Sequence, residues 1–183
     1  LLDAVEFVDY GTEPTAIISA FEAGEIHVND ESPADRLELL DGLGLERREK
    51  ETAQTIVARM NVTAEPYTDG RVRRAIQSMV DNAIVMQLGI GGRGLVAEDH
   101  HVGPMHPEYA DIGSAPHAPE EGVAMLAEAG HAETEFELIS IDGDWQRTTM
   151  DAVGASLRQA GLAVKRTVIP GGTFWNNWTK YPF

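Results

Sequence analysis

Helix and strand patterns alternate between residues 119 and 168, and this alternation constrains the fold more than any other feature of the sequence. A helix opens at Pro119 and closes at Gly130, as expected for a proline in the first turn and a glycine just past the last. Alternating apolar residues follow at 136–141, a second helical stripe stops at Gly161, and strand-like residues resume at 162–168. The sequence therefore predicts an α/β block.

A similar pattern occupies the beginning of the chain. Residues 5–8 alternate as in a strand, a helix runs from Pro14 to Gly24, and alternation resumes at 26–28. This length is close to the shortest that permits a parallel crossover. A short helix at 33–40 and a strand at 56–62 are predicted to follow.

The middle of the chain combines a composition shift, a helix and a long irregular stretch. The shift at 64–70 is a candidate domain boundary, and Asp69 is placed to cap a helix over 70–81. Residues 89–117 are rich in Gly, Pro and His and show little periodicity. We interpret them as an ordered loop, because long loops in compact domains are usually functional. The last predicted helix covers 147–160.

Charge and composition exclude several classes of function. Thirty acidic against fourteen basic side chains give a formal net charge of -16, which repels nucleic acid and anionic membrane surfaces. The chain has no cysteine, so disulfides, thiolate metal sites and cysteine nucleophiles are impossible. The same charge is also compatible with solubility alone.

Neither a membrane span nor a signal peptide is visible in the sequence. A span would need about 18 consecutive apolar residues, and the charged, apolar and small-residue regions of a signal peptide are missing from the first residues. The chain opens directly in a strand-like run and stops at Phe183 after an aromatic segment. We interpret this abruptness as that of a fragment.

Four segments together resemble one protein family. They are VEFVDYGTEPT at 5–15 with AGEI at 23–26, NVTAEPYTDGRVRRAIQSMVD at 61–81, APEEGVAMLAEAG at 118–130, and the apolar and aromatic pattern of 152–175. In this order the segments resemble the family 5 extracellular solute-binding proteins, the oligopeptide- and dipeptide-binding class. Each match is weak alone, whereas four in register across the chain are specific.

The resemblance implies a periplasmic-binding-protein-like architecture of two α/β lobes, represented incompletely. Residues 1–64 would belong to the first lobe and residues 65–183 to the front of the second. It further implies a monomeric, periplasmic receptor of an ABC importer. Such a receptor captures peptides or similar small solutes between its lobes and delivers them to a membrane permease, without a cofactor and without nucleic acid. The acidic residue with which peptide binders of this family hold a free amine would lie beyond Phe183.

A glycine motif supports a competing hypothesis from another class. Gly89, Gly91 and Gly94 satisfy G-x-G-x-x-G, which in a dinucleotide site places backbone amides against a pyrophosphate. The motif follows a helical run instead of a strand, and a flexible, tightly turning loop explains it equally well. A small nucleotide-dependent enzyme built on the Gly89–Gly94 loop remains the alternative.

Three histidines lie close together in the long loop. His100, His101 and His106 could bind a transition metal, line a ligand cleft or pack on the surface. Neighbouring side chains of an extended chain point to opposite sides, and no cysteine is available as a further ligand. We therefore expect no metal site, and we assign the three histidines to ligand contact.

Two further groups are predicted to contact the ligand. Asp142, Asp144 and Trp145 stand where a strand ends and a helix begins, the position at which open α/β sheets bind ligands, although Asp144 could simply cap the helix. Phe174 and Trp175 share a short helical run with Trp178, where packing is the competing role. Trp145 offers a rigid surface and is the strongest single candidate.

The sequence contains no motif that would support catalysis. A zinc-protease HExxH, a nucleophile elbow and a P-loop are all missing from the chain. We therefore expect a binding protein and not an enzyme.

Overall fold

The computed structural model describes residues 2–11, 14–32 and 36–183, with the side chains of Pro14 and Asp144 left aside. The chain divides into two compact units, Leu1–Glu49 and Lys50–Phe183. The division falls before the predicted lobe boundary at 64/65, and residues of 50–64 pack within the second unit. Assignment of residues 1–64 and 65–183 to two lobes stays a prediction.

In its described residues, the first unit contains two α-helices, Pro14–Glu22 (α1) and Leu37–Asp41 (α2). Helix α1 confirms the predicted helix, while α2 covers only the end of the expected 33–40 helix, whose residues 33–35 lie outside the described part. The strands predicted at 5–8 and 26–28 are wrong, because these residues are irregular and no described segment pairs with them. Alternation makes a strand only where a neighbour accepts its backbone hydrogen bonds. Phe7 and Val28 are accordingly 93% and 79% exposed.

The second unit carries the remaining regular structure. Its elements are Gly70–Met79 (α3), Asn82–Ile90 (α4), Pro119–Glu128 (α5), Glu135–Ile141 (β1), Asp144–Gln159 (α6), Ala163–Ile169 (β2), Gly171–Asn177 (α7) and a 3-10 turn at Trp178–Lys180. The three helices predicted at 70–81, 119–129 and 147–160 are confirmed within a few residues. Among the described residues, no helix is long and apolar enough to cross a membrane.

Strands β1 and β2 form a parallel pair joined by α6. Their register pairs Glu135 with Ala163 and Ile141 with Ile169, so both strands end at the same edge. Arg166 of β2 ties the layers together: its Nε donates to Asp151 of α6 at 2.7 Å, and its guanidinium reaches the carbonyl oxygen of Leu138 on β1 at 2.7 Å. The β–α–β block predicted from residues 136–168 is therefore confirmed.

The prediction of a strand at 56–62 is wrong, although the segment contributes an apolar side chain to the core. Residues 56–61 are irregular. Met60 packs against the core, and the Asn61 amide donates to the carbonyl oxygen of Pro182 at 2.8 Å. The next residue, Phe183, accepts from the Ile139 amide at 2.9 Å. The end of the chain thus bridges β1 and this segment.

The core of the second unit lies between its helices and the inner face of the sheet. The fully buried large side chains are Tyr67, Phe136, Ile76, Met79, Leu126, Leu138, Leu157 and Val72. The Tyr67 ring meets Phe183 edge-on at 5.6 Å and Phe136 at 6.2 Å. Helix α3 presents its predicted apolar stripe to this core, and Asp69 caps it by accepting from the Arg71 amide at 2.7 Å.

Candidate functional site

The carboxyl ends of the two parallel strands define one edge of the sheet, and two helices start there. Strand β1 ends at Ile141 and α6 begins at Asp144, while β2 ends at Ile169 and α7 begins at Gly171. The Asp142 amide donates to the carbonyl oxygen of Ile169 at 3.1 Å, so the two turns are directly joined. Open α/β sheets bind their ligands at this edge.

Asp142, Asp144 and Trp145 occupy this edge as the sequence predicts. Asp142 is exposed, and Trp145 is half-buried in the first turn of α6. Gly143 is the N-cap residue, and Asp144 is the first residue of the helix. The side chain of Asp144 lies outside what the structure describes, and its ligand role stays a prediction.

Trp145 offers an aromatic face and a hydrogen-bond donor. With the Gln146 amide turned so that its oxygen faces the indole, Trp145 Nε1 donates to Gln146 Oε1 at 3.2 Å. This partner is a neighbouring side chain, so the indole N–H can exchange it for a ligand oxygen without breaking the fold. The donor is satisfied in either state, as a half-buried N–H requires.

The end of α4 lies against the first turns of α6. Thr148 Oγ1 donates to the carbonyl oxygen of Gly89 at 2.9 Å. A Cβ at Gly89 would lie 2.4 Å from Thr149 Oγ1 and 2.9 Å from Thr149 Cα, so only glycine permits this helix contact. The long loop that follows α4 therefore begins near the end of α6 that carries Trp145.

The three motif glycines have structural roles in this arrangement. Gly89 allows the helix contact, Gly91 is the left-handed C-cap of α4 with φ 65°, and Gly94 turns the loop with φ 124°. A dinucleotide fingerprint follows a strand and opens a helix. Here the motif begins inside a helix, and residues 92–118 form no helix. The geometry therefore does not favour the nucleotide-dependent alternative.

The loop places its three histidines differently. His106 Nδ1 accepts from the Gly103 amide at 3.0 Å within a tight turn, His100 Nε2 lies 3.4 Å from Glu98 Oε2, and His101 is exposed. Throughout the described residues, no group of three or more His, Asp or Glu side chains is arranged to hold a metal ion. The imidazoles thus serve turn formation and local pairing, and their ligand contact stays a prediction.

Glu98 and Tyr109 also organise this loop, and no sequence pattern marks either of them. The Tyr109 hydroxyl donates to Glu98 Oε1 at 3.0 Å and to Glu98 Oε2 at 2.9 Å. This hydrogen bond to a carboxylate, with burial and the charge of Glu98, raises the pKa of Tyr109. The two residues are eleven positions apart in irregular backbone, a spacing that carries no sequence signal.

Phe174 and Trp175 begin an aromatic chain that continues to Trp178. Phe174 is half-buried and Trp175 is 62% exposed. The rings of Phe174 and Trp175 meet edge-on at 5.1 Å, those of Trp175 and Trp178 stand 6.5 Å apart, and Arg59 lies 4.3 Å above Trp178. Phe174 thus contributes to packing, whereas Trp175 keeps an exposed face, and ligand contact by either residue stays a prediction.

A surface groove of about 490 Å³ lies elsewhere in the second unit. Its lining includes Met79, Asp81, Glu120, Val123 and Gln159. Gln159 is the last residue of α6, whereas Trp145 is in its first turn, so this groove is separate from the candidate site.

The candidate site provides surfaces for binding. It combines the aromatic faces of Trp145 and Trp175 with the Asp142 carboxylate at the sheet edge. Aromatic faces and a few polar groups are the usual composition of a small-molecule site. The loop that carries the exposed His101 begins at the end of α4, which lies against the first turns of α6.

The whole sequence, residues 1–183, matches the family model described as bacterial extracellular solute-binding proteins, family 5 Middle. No curated protein sequence matches the chain.

Solved structures of binding proteins share the fold. A dipeptide binding protein from Pseudoalteromonas sp. SM9913 in complex with Met-Leu matches 95% of this chain and 36% of its own, at 19% identity and a TM-score of 0.74. NikZ from Campylobacter jejuni in complex with Ni(L-His) matches 93% of this chain and 37% of its own, at 16% identity and a TM-score of 0.74. AgaA from A.tumefacien R10 in complex with agropinic acid matches 92% of this chain and 35% of its own, at 20% identity and a TM-score of 0.72. The chain thus spans about a third of the length of these proteins and has the fold of the corresponding part.

Proposed function

Because the chain belongs to family 5 of the bacterial extracellular solute-binding proteins, we propose that the protein carrying it is the substrate-binding receptor of an ABC importer. The match over residues 1–183 carries the proposal, and the shared fold of the solved binding proteins supports it. The family is one of binding proteins, so we propose that the receptor performs no chemistry on its solute.

We propose peptides or similar small solutes as the ligands. The ligands in solved structures with this fold include the dipeptide Met-Leu, a nonapeptide, the peptide STSA, agropinic acid and Ni(L-His). These ligands combine polar or charged groups with side chains of varied size. Aromatic faces beside a carboxylate suit such mixed chemistry, because the aromatic surface tolerates different side chains while the charge fixes orientation.

In the proposed mechanism, the solute settles between two lobes that close over it. Closure removes most of the ligand surface from water and strengthens the polar contacts, as in other hinged binding proteins. The closed form then docks on a membrane permease. We propose that the receptor acts as a monomer in the periplasm, with residues 1–64 in the first lobe and residues 65–183 in the second.

Trp145 is the residue that tests the site most directly. We expect Trp145→Ala in the full-length protein to weaken solute binding by ~1 kcal/mol or more, about fivefold, since a buried aromatic anchor contributes at least this much. Trp145→Phe keeps most of the aromatic face and should recover part of the affinity. Isothermal titration with a library of di- and oligopeptides measures both.

Gln159→Ala is the matched control because it lies at the other end of the same helix, in the separate groove. We expect it to leave the dissociation constant unchanged. Equal affinities for wild type and Trp145→Ala would remove Trp145 from the site. If no peptide or related small solute binds the full-length protein, the proposed ligand class is contradicted.

A further inference from the structure

The loop segment 97–109 is held in place by side chains at both of its ends. At its start, Asn82 of α4 donates through Nδ2 to the carbonyl oxygen of Ala97 at 2.9 Å and to Asp99 Oδ1 at 2.8 Å. At its far end, the Tyr109 hydroxyl returns to both carboxylate oxygens of Glu98. The segment is therefore a closed excursion whose order depends on a few polar contacts and not on regular backbone hydrogen bonds.

His100 lies beside the carboxylate that closes this excursion. Its Nε2 atom is 3.4 Å from Glu98 Oε2, and its ring centre is 6.4 Å from that of Tyr109. The side chains of His100 and Glu98 are only 22% and 28% exposed. Within the described residues, His100 Nε2 is buried and makes no hydrogen bond. A buried polar atom without a partner is costly, so His100 Nε2 gains from a closer approach to the Glu98 carboxylate.

Acidic groups lie around this contact. Glu98 faces His100 directly, Asp99 follows on the side tied to Asn82, and the charge of Asp111 acts on Tyr109. The raised pKa of Tyr109 keeps its hydroxyl protonated, so it continues to donate to Glu98 over the range in which a histidine titrates. A carboxylate offers about four acceptor positions and can hold both partners at once.

We propose that Glu98 is a positioning residue that joins Tyr109 and His100 into a clasp, and that protonation of His100 tightens this clasp and orders the loop. In the neutral state, the contact between His100 and Glu98 lacks ionic attraction. In the protonated state, Nε2–H donates to Glu98 and the imidazolium pairs with the carboxylate. The loop that carries the candidate histidine contacts is then more ordered at mildly acidic pH than at mildly alkaline pH.

The clasp stands on the contacts of Glu98, and only its effect on solute binding rests on the proposed function. If the loop lines the solute site, ordering it beforehand lowers the cost of binding, because less conformational freedom is lost when the solute arrives. Solute affinity would then rise as the pH falls through the histidine range.

Amide hydrogen exchange in the full-length protein tests the clasp without any solute. After correction for the intrinsic pH dependence of exchange, we expect protection of residues 98–109 to increase about two- to fivefold from pH 8 to pH 5, the range for a partly exposed ion pair. Glu98→Gln keeps an oxygen for Tyr109 but removes the charge, and His100→Gln removes the titrating group. Both should abolish the pH dependence.

Two further variants separate the clasp from general effects. His101→Gln removes the exposed neighbouring histidine and should retain the wild-type pH dependence. Tyr109→Phe should lower protection at both pH values, because it removes the hydroxyl that donates in both states. An unchanged unfolding midpoint establishes that each variant is folded.

The outcomes are decisive in both directions. Protection that does not change with pH in the wild type, or a pH dependence that survives Glu98→Gln or disappears in His101→Gln, would overturn the proposal. A solute titration over the same pH range then tests its consequence. If protection follows pH but affinity does not, the clasp is supported and the loop is removed from the solute site.

Discussion

Gly122 allows helices α3 and α5 to approach more closely than any other residue would permit. A Cβ at this position would lie 2.7 Å from Met79 Cγ, 2.7 Å from Ser78 Oγ and 2.8 Å from the carbonyl oxygen of Ala75. Side-chain atoms can rotate away, but the carbonyl oxygen belongs to the backbone of α3. Gly122→Ala therefore requires one helix to shift.

Two opposing effects determine the size of the change. Alanine in place of glycine inside a helix stabilises by about 1 kcal/mol, while overpacking a close contact costs about 1–3 kcal/mol. The backbone clash places Gly122 near the upper end of that cost. We therefore expect Gly122→Ala to lower the free energy of unfolding by about 2 kcal/mol, measured by urea denaturation of the full-length protein.

Gly154 of α6 provides the matched control. It is also a buried helical glycine, but the atoms nearest to its Cβ would be Arg158 Nη1 at 3.4 Å, Arg166 Cδ at 3.5 Å and Val164 Cγ1 at 3.7 Å, which are ordinary contacts. Gly154→Ala should therefore stabilise by up to about 1 kcal/mol through helix propensity alone. If the two variants shift stability in the same direction, the packing explanation for Gly122 is refuted.

Three other changes have defined outcomes. Leu157→Ala empties a fully buried position and should cost about 2–5 kcal/mol in urea denaturation, whereas a cost below 1 kcal/mol would show that the core collapses around it. Gly91→Ala forces a side chain into the left-handed C-cap and should cost about 1–2 kcal/mol; a stability equal to wild type would contradict the cap geometry. The Arg71 side chain, with the Arg71 amide, holds the pKa of Asp69 at about 2, below the ordinary value of 3.8. The Asp69 carboxylate therefore stabilises the fold fully above pH 3.8, and this stabilisation is lost as the pH falls toward 2. The stability difference between wild type and Asp69→Ala should shrink over that interval in acid denaturation, and a difference independent of pH would refute the carboxylate's role.

The sequence predicts those parts of the fold whose partners are near in the chain. Strands β1 and β2 are recognisable because one helix connects them and each supplies the other's backbone hydrogen bonds. The apolar alternation at 5–8, 26–28 and 56–62 is just as regular, yet no described segment completes a ladder with it. A period of two reports which residues face one side, and it does not report whether a neighbouring strand is present.

The candidate site likewise contains one part that local sequence predicts and one part that it does not. Trp145 could be placed at the sheet edge because a strand-to-helix turn fixes its position from local sequence. The contact between Glu98 and Tyr109 could not, because it joins two points of irregular backbone with no period to indicate which residues meet. The enrichment in histidine marks this loop in the sequence. The residues that organise the loop are a glutamate and a tyrosine, which no enrichment marks.

The bridge between Asn61 and Pro182 determines when the second unit can finish folding during synthesis. The two residues lie at opposite ends of that unit, and Phe183 beside them completes the packing around Tyr67. A ribosome releases Asn61 long before Pro182, so the amide of Asn61 and the ring of Tyr67 wait for their partners while the intervening chain emerges. Contacts of such large sequence separation form late and slow the overall folding rate. The nascent unit therefore stays incompletely closed until its last residues have left the ribosome.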